Sequence, residues 1–194
     1  TTGLVQNRKI RPGCGKYSLY TVPSGFYRLA SPGSFKHLHN QSDPSCAKRQ
    51  MKIAIMGTGG LDGFFGGKLT QAGHDVWFIA RGEQFVALKT SGLQLLGPDP
   101  DIVIAQPKAT DRPADIGAVD VVLFCVKLYN VEPAAALIKP IVTNATAVIS
   151  VLNGIDGPQR LEAALETGTV FSGAARISAK IKAPGVISYL GSGD

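Results

Sequence analysis

At 194 residues, 44% of them hydrophobic and 18% charged, the chain is long enough for one domain with an appendage and too apolar for a disordered polymer. Its longest apolar stretch, around Val119–Val126, falls well short of the ~20 residues a bilayer-spanning helix needs. The net charge of +6 is uneven: residues 1–50 hold eight Lys/Arg against Asp43, whereas 51–194 hold 12 bases against 13 acids, so the basicity belongs to the appendage and makes no case for nucleic acid in the larger part.

Residues 1–50 show no sustained period of 2 or 3.6 and are broken by Pro12-Gly13, Pro23-Ser24-Gly25 and Ser31-Pro32-Gly33-Ser34. Three readings stand for this leader: a basic, acid-poor transit segment, a basic arm for an acidic surface, or a disordered stretch preceding a start at Met51. The leader carries Cys14, Cys46, His37 and His39, none of them at metal-ligand spacing. Three cysteines in all, without a secretory segment, suit a reducing, cytoplasmic setting, in which the sequons at Asn40 and Asn144 carry no meaning.

From Met51 the pattern changes. Lys52–Met56 reads as a short apolar strand, Leu61–Ala72 as a helix closed by Gly73, Asp75–Ala80 as a second strand and Gln84–Ser91 as a second helix. Leu93–Leu96 and Ile102–Ala105 read as a strand pair across Gly97-Pro98-Asp99-Pro100, and Asp120–Val126 as a third core strand holding Cys125 as a small buried thiol. A helix over Val131–Ile138, a strand over Ala147–Val151, a helix over Gln159–Glu166 and a strand over Thr169–Phe171 follow. Arg176–Ile181 is extended and turns at Pro184-Gly185 into Val186–Leu190. Strands apolar throughout, alternating with helices, predict a parallel sheet covered on both faces, with right-handed crossovers. The fold class is α/β, a doubly wound Rossmann-type NAD(P)-binding domain over 51–194.

Such sheets bind ligands at the carboxyl ends of their strands. Gly57-Thr58-Gly59-Gly60-Leu61-Asp62-Gly63 follows the first strand and opens a helix. Gly57 permits the tight turn, and Gly59 lets backbone approach a pyrophosphate at the helix N-terminus. The third glycine of the G-x-G-x-x-G pattern is replaced by Asp62. At an effective dielectric near 20, unit charges ~6 Å apart repel by about 3 kcal/mol, so Asp62 is expected to weaken cofactor binding relative to glycine. Arg81, directly after the second strand, suits a ribose 2′-phosphate where NAD-preferring domains carry Asp or Glu; the alternative is a solvated surface arginine. Lys127 closes the third core strand, either to meet a phosphate, ribose or carboxylate or to snorkel to solvent. Asn153, after the next strand, can bind a nicotinamide ribose or a substrate hydroxyl, or cap the turn before Gly154. His74, at the opposite edge of the sheet, reads as structural. No Ser-His-Asp set, HExxH motif or Cys/His metal cluster is apparent.

Met51–Gly60, Gly73–Gly82, Val121–Lys127, Leu152–Gly154, Arg176–Ala179 and Ala183–Ile187, in that order, resemble the N-terminal half of ketopantoate reductase (2-dehydropantoate 2-reductase). The resemblance implies NADPH-dependent reduction of 2-dehydropantoate to pantoate, on the way to pantothenate and coenzyme A, with a small 2-oxo acid as partner and neither nucleic acid nor membrane. It implies Gly57, Thr58, Gly59, Gly60, Leu61 and Asp62 as the phosphate turn, Arg81 at the 2′-phosphate, Lys127 on the cofactor, Asn153 on cofactor and substrate, and a backbone contact near Ala179. It also implies a helical C-terminal domain carrying the proton-donating lysine. The chain ends at Asp194 without it, so the expectation is nucleotide binding with little turnover. A non-catalytic nucleotide-binding module, or a reductase of another 2-oxo acid, are the alternatives.

Overall fold

The computed structural model describes residues 49–57, 59–152 and 156–191. The chain divides into two units, Thr1–Arg49 and Gln50–Asp194, and the description concerns the second. The expectations for the leader, with Cys14, Cys46, His37, His39 and Asn40, lie outside the described residues, as do those for Thr58 and Asn153.

Six parallel strands form the main sheet: β1 (Lys52–Met56), β2 (Asp75–Ile79), β5 (Lys108–Thr110), β6 (Val121–Phe124), β7 (Ala147–Ser150) and β8 (Thr169–Ser172), in the order β5-β2-β1-β6-β7-β8. The strand order reverses at β1, so crossovers leave in both directions from the centre and create a crevice at the carboxyl ends of β1 and β6. β1 shows why the sequence is apolar at every position from Ile53 to Met56. Ile53 and Ile55 enter one core, whereas Ala54 and Met56 enter the other, because successive side chains of a strand point to opposite faces and here both faces are covered.

Helices α3 (Val131–Ile138) and α4 (Gly157–Leu165) cover one face, burying Val131, Ala135, Ile138, Leu161 and Leu165. Helix α1 (Gly60–Gln71) covers the other. A second sheet lies beyond α1: β3 (Leu93–Leu96), β4 (Ile102–Ile104), β9 (Ser178–Ala183) and β10 (Val186–Leu190), in the order β4-β3-β10-β9. The strand pair across Gly97–Pro100 and the extended stretch turning at Pro184-Gly185, both expected from the sequence, are the antiparallel pairs β3–β4 and β9–β10. Their union through parallel pairing of β10 with β3 was not visible in it, nor was β5, a three-residue strand without an apolar run. Helix α2 (Gly82–Thr90) links β2 to β3.

The sandwiching of α1 explains its composition. Gly63 lies against Ile187 of β10, Gly66 against Phe78 of β2 and Gly67 against Leu95 of β3, each so close that a Cβ would fall within 2.7 Å of its neighbour. A helix with sheets on two sides needs small residues on two sides. At its end Gly73 takes φ +89°, as a helix-terminating glycine should. His74 Nδ1 accepts the Met51 N–H at 3.3 Å, the structural role its position suggests. No helix among the described residues is long and apolar enough to cross a membrane.

Candidate functional site

The chain leaves β1 at Met56 and turns at once through Gly57, whose φ of +133° excludes side chains with a Cβ. The turn delivers Gly59 to the N-cap of α1 in an extended conformation. A Cβ on Gly60 would fall 2.3 Å from the Ala179 carbonyl oxygen, so the turn is held directly against β9. Gly57, Gly59 and Gly60 therefore meet distinct demands: backbone conformation, open approach, and contact with the second sheet.

Two adjoining cavities, of about 360 and 490 Å3, open beside this turn and share Gly59, Asp62, Cys125, Val126 and Lys127 in their walls. Each is within the usual size range of ligand pockets. Arg81, the N-cap residue of α2, lines the first, and Ala179 with Gly60 and Leu61 lines the second. Of the ten positions predicted to contact cofactor, the eight described ones thus border one continuous crevice. Arg81 and Lys127 are exposed and bring two cations to the first cavity, whose wall also holds Asp62, Cys125, Tyr129 and Asn130.

Asp62 departs from the expected picture of a charge merely near the turn. It is only 2% exposed. As the third residue of α1 it reaches back, and the Gly59 N–H donates to its Oδ2 at 2.8 Å, the carboxylate half of a capping box. The same oxygen lies 2.2 Å from where a Cβ on Gly57 would be, so the carboxylate fills the hollow that the turn's glycines create. The glycine-to-aspartate exchange is accommodated because the acid takes an amide that the helix N-terminus leaves unpaired, where negative charge is favoured. Burial nevertheless outweighs this and the Cys125 thiol bond, and raises the Asp62 carboxyl from 3.8 to about 6.

Cys125 is half-buried rather than sealed in the core, and it borders both cavities. Its N–H donates to the Met56 carbonyl at 3.0 Å, locking the ends of β1 and β6 together. Burial, and next the Asp62 charge, hold its thiol far above the ordinary range, so it stays protonated and acts as a donor. The clue in the sequence was position: Cys125 lies two residues before Lys127 at the same strand end. Tyr129, 71% exposed at the rim, was also left without a role.

The crevice fits a dinucleotide in its glycine turn, flanking cations and volume; the one group at odds with a pyrophosphate is the Asp62 carboxylate on the Gly59 amide. Comparisons with known proteins agree with this shape. A family model described as ketopantoate reductase PanE/ApbA matches residues 53–194. A 2-dehydropantoate 2-reductase of Mesorhizobium japonicum is 33% identical over 106 residues, 54% of this chain and 32% of that protein. A crystal structure of a PanE/ApbA family ketopantoate reductase from Ralstonia eutropha JMP134 superimposes with a TM-score of 0.68 at 32% identity, covering 72% of this chain and 46% of that one. A ternary structure of D-mandelate dehydrogenase with NADH and anilino(oxo)acetate superimposes with a TM-score of 0.65 at 26% identity, covering 73% and 46%. The chain spans less than half the length of the curated relatives it matches.

Proposed function

From the premise that this chain belongs to the ketopantoate reductase PanE/ApbA family, we propose that it forms the NADP(H)-binding part of an oxidoreductase that reduces 2-dehydropantoate to pantoate. The observation that carries the cofactor reading is Arg81 beside the glycine turn: this residue, two positions after the end of β2, lines the same cavity as Gly57 and Gly59. A guanidinium there matches a 2′-phosphate with several parallel donors, and it is the position where an acidic residue would favour the unphosphorylated ribose.

In this reading the backbone of Gly57 and of Gly59 to Leu61 serves the pyrophosphate, Arg81 the 2′-phosphate and Lys127 the central part of the cofactor. Ala179 contributes backbone, and the family resemblance gives Asn153 the nicotinamide ribose and the substrate as its partners. A nicotinamide cofactor held by these residues would supply hydride for reduction of a ketone carbon. The oxygen left behind gains negative charge and needs a positioned acid. Lys127 is the lysine bordering the crevice among the described residues, and its place beside the cofactor gives it an electrostatic task. The proton donor is assigned to the part of the family's length that this chain does not span.

The likeness to D-mandelate dehydrogenase favours a second reading on the substrate side: reduction of a different 2-oxo acid by the same architecture. The two share hydride chemistry and the glycine turn, and they differ in the acid that the remainder of the site accepts.

Fluorescence titration with NADPH and NADH tests the cofactor assignment. Binding of NADPH at least tenfold tighter than NADH, with the preference abolished in Arg81→Ala, is the expected result. Equal binding of the two by the parent chain would overturn the role given to Arg81, and absence of binding by either would overturn the reading of the crevice.

A further inference from the structure

The glycine turn of this chain already contains an anion of its own. The Gly59 N–H, one of the amides a pyrophosphate would use, donates at 2.8 Å to Asp62 Oδ2. That oxygen fills the hollow over Gly57. Asp62, though only 2% exposed, is among the residues lining both cavities of the crevice, so its carboxyl stands just beneath the surface that an entering ligand would meet. Resting on the reading of the crevice as a dinucleotide site, we propose that Asp62 is an internal stand-in for the ligand's phosphate, and that dinucleotide uptake is coupled to protonation of this carboxyl.

The argument is one of incompatible charges. A diphosphate and an ionised Asp62 compete for the same amide and repel each other across a wall that excludes water from one side. A neutral carboxyl removes the repulsion, and its hydroxyl becomes a donor that can point toward the ligand. The proton comes from solvent, and no other reactant is consumed. The surroundings make the exchange attainable near neutrality. Burial sets the Asp62 carboxyl at about 6, so a modest further push from an anionic ligand carries it through the neutral range. The groups facing it are few. Cys125, from the end of β6, donates to it and stays protonated. Arg81 after β2 and Lys127 after β6 bring positive charge to the same crevice, and Tyr129 stands at its rim. β9 contributes the Ala179–Lys180 backbone beside Gly60. No other carboxylate of the described residues borders either cavity.

Linkage gives the sign: if the complex holds a proton that the free chain has released, affinity falls as pH rises above about 6, by up to about tenfold per pH unit. The 2′-phosphate of NADP+ itself titrates near pH 6, so the parent must be compared with a variant lacking the Asp62 carboxyl. Calorimetric titration of the full chain with NADP+ from pH 5.5 to 8.5, in two buffers of different ionisation enthalpy, measures both affinity and protons taken up. Asp62→Asn keeps the acceptor for Gly59 without the charge, and Asp62→Gly restores the glycine; circular dichroism establishes that each is folded. The expected result is an extra uptake of a fraction of a proton per ligand in the parent between pH 6 and 8, smaller but still present at pH 8. Both variants should bind at least tenfold tighter than the parent at that pH and converge with it at pH 5.5. Parallel affinity profiles and equal proton counts in all three would overturn the coupling and leave the dinucleotide reading intact. Failure of all three folded chains to bind NADP+ at any pH would overturn that reading and the coupling with it.

Discussion

Asp62 concentrates the competing forces at this site. Its carboxylate gains from the Gly59 amide and the helix N-terminus, and it loses more by leaving water, which is why it titrates at about 6 rather than 3.8. The consequence for stability has a definite sign. Between those values the folded chain keeps a proton that the unfolded chain has released, so stability falls as pH rises through 6 and is level above it. The span corresponds to about 3 kcal/mol. Denaturation of the parent and Asp62→Asn across pH 4 to 8 should therefore show the asparagine variant gaining on the parent by about that amount, mostly between pH 4 and 6.5. A constant difference across the range would mean that the carboxyl is not buried as described. The sequence made Asp62 conspicuous as a missing glycine, but its charge was weighed only against a ligand. The pattern of an N-cap followed three residues later by an acid was present in Gly59 and Asp62; heeding it would have shown the side chain turned onto the chain's own amide. Arg81 was easier to place, because a residue just past the end of a strand of a parallel sheet has little freedom to lie anywhere but the crevice.

At the scale of elements, α1 is the least self-sufficient piece of the fold. Its sequence Gly60-Leu-Asp-Gly-Phe-Phe-Gly-Gly-Lys-Leu-Thr-Gln71 holds four glycines, each costing about 1 kcal/mol relative to alanine in an isolated helix. Contact with sheets on both sides offsets that cost. Gly66→Ala shows which effect wins: the new Cβ would fall 2.3 Å from the ring of Phe78, itself 2% exposed. Overpacking of a closed core costs roughly 1–3 kcal/mol, which exceeds the gain in helix propensity, so urea denaturation should find Gly66→Ala less stable than the parent. Greater stability would show that β2 yields to α1. The existence and order of nearly all the helices and core strands were legible, since apolar runs punctuated by glycine mark each one. Boundaries moved by one or two residues, as α1 and α4 did, because capping residues lie outside the apolar pattern. β5 escaped because Lys108-Ala-Thr110 owes its strand form to the edge of β2 rather than to its own residues.

For the molecule as a whole, the main sheet follows from local pattern and the second sheet does not. β3 and β10 are separated by most of the folded unit, and their parallel pairing, Val186 with Gln94 through Ser188 with Leu96, is fixed by α1 lying between the sheets. The glycine turn is clamped at Gly60 against the Ala179 carbonyl of β9, so one end of the outer sheet is a wall of the crevice. Occupancy of the crevice is thereby mechanically wired to an edge strand. Amide hydrogen exchange should register it: protection along Ser178–Ala183 is expected to rise when NADP+ is added, while the far strand β4 keeps its rate. An unchanged β9 beside a protected turn would show that the clamp transmits nothing. If it transmits as described, this outer strand is a natural place to attach a reporter of nucleotide occupancy, since it senses the ligand without supplying a side chain to it.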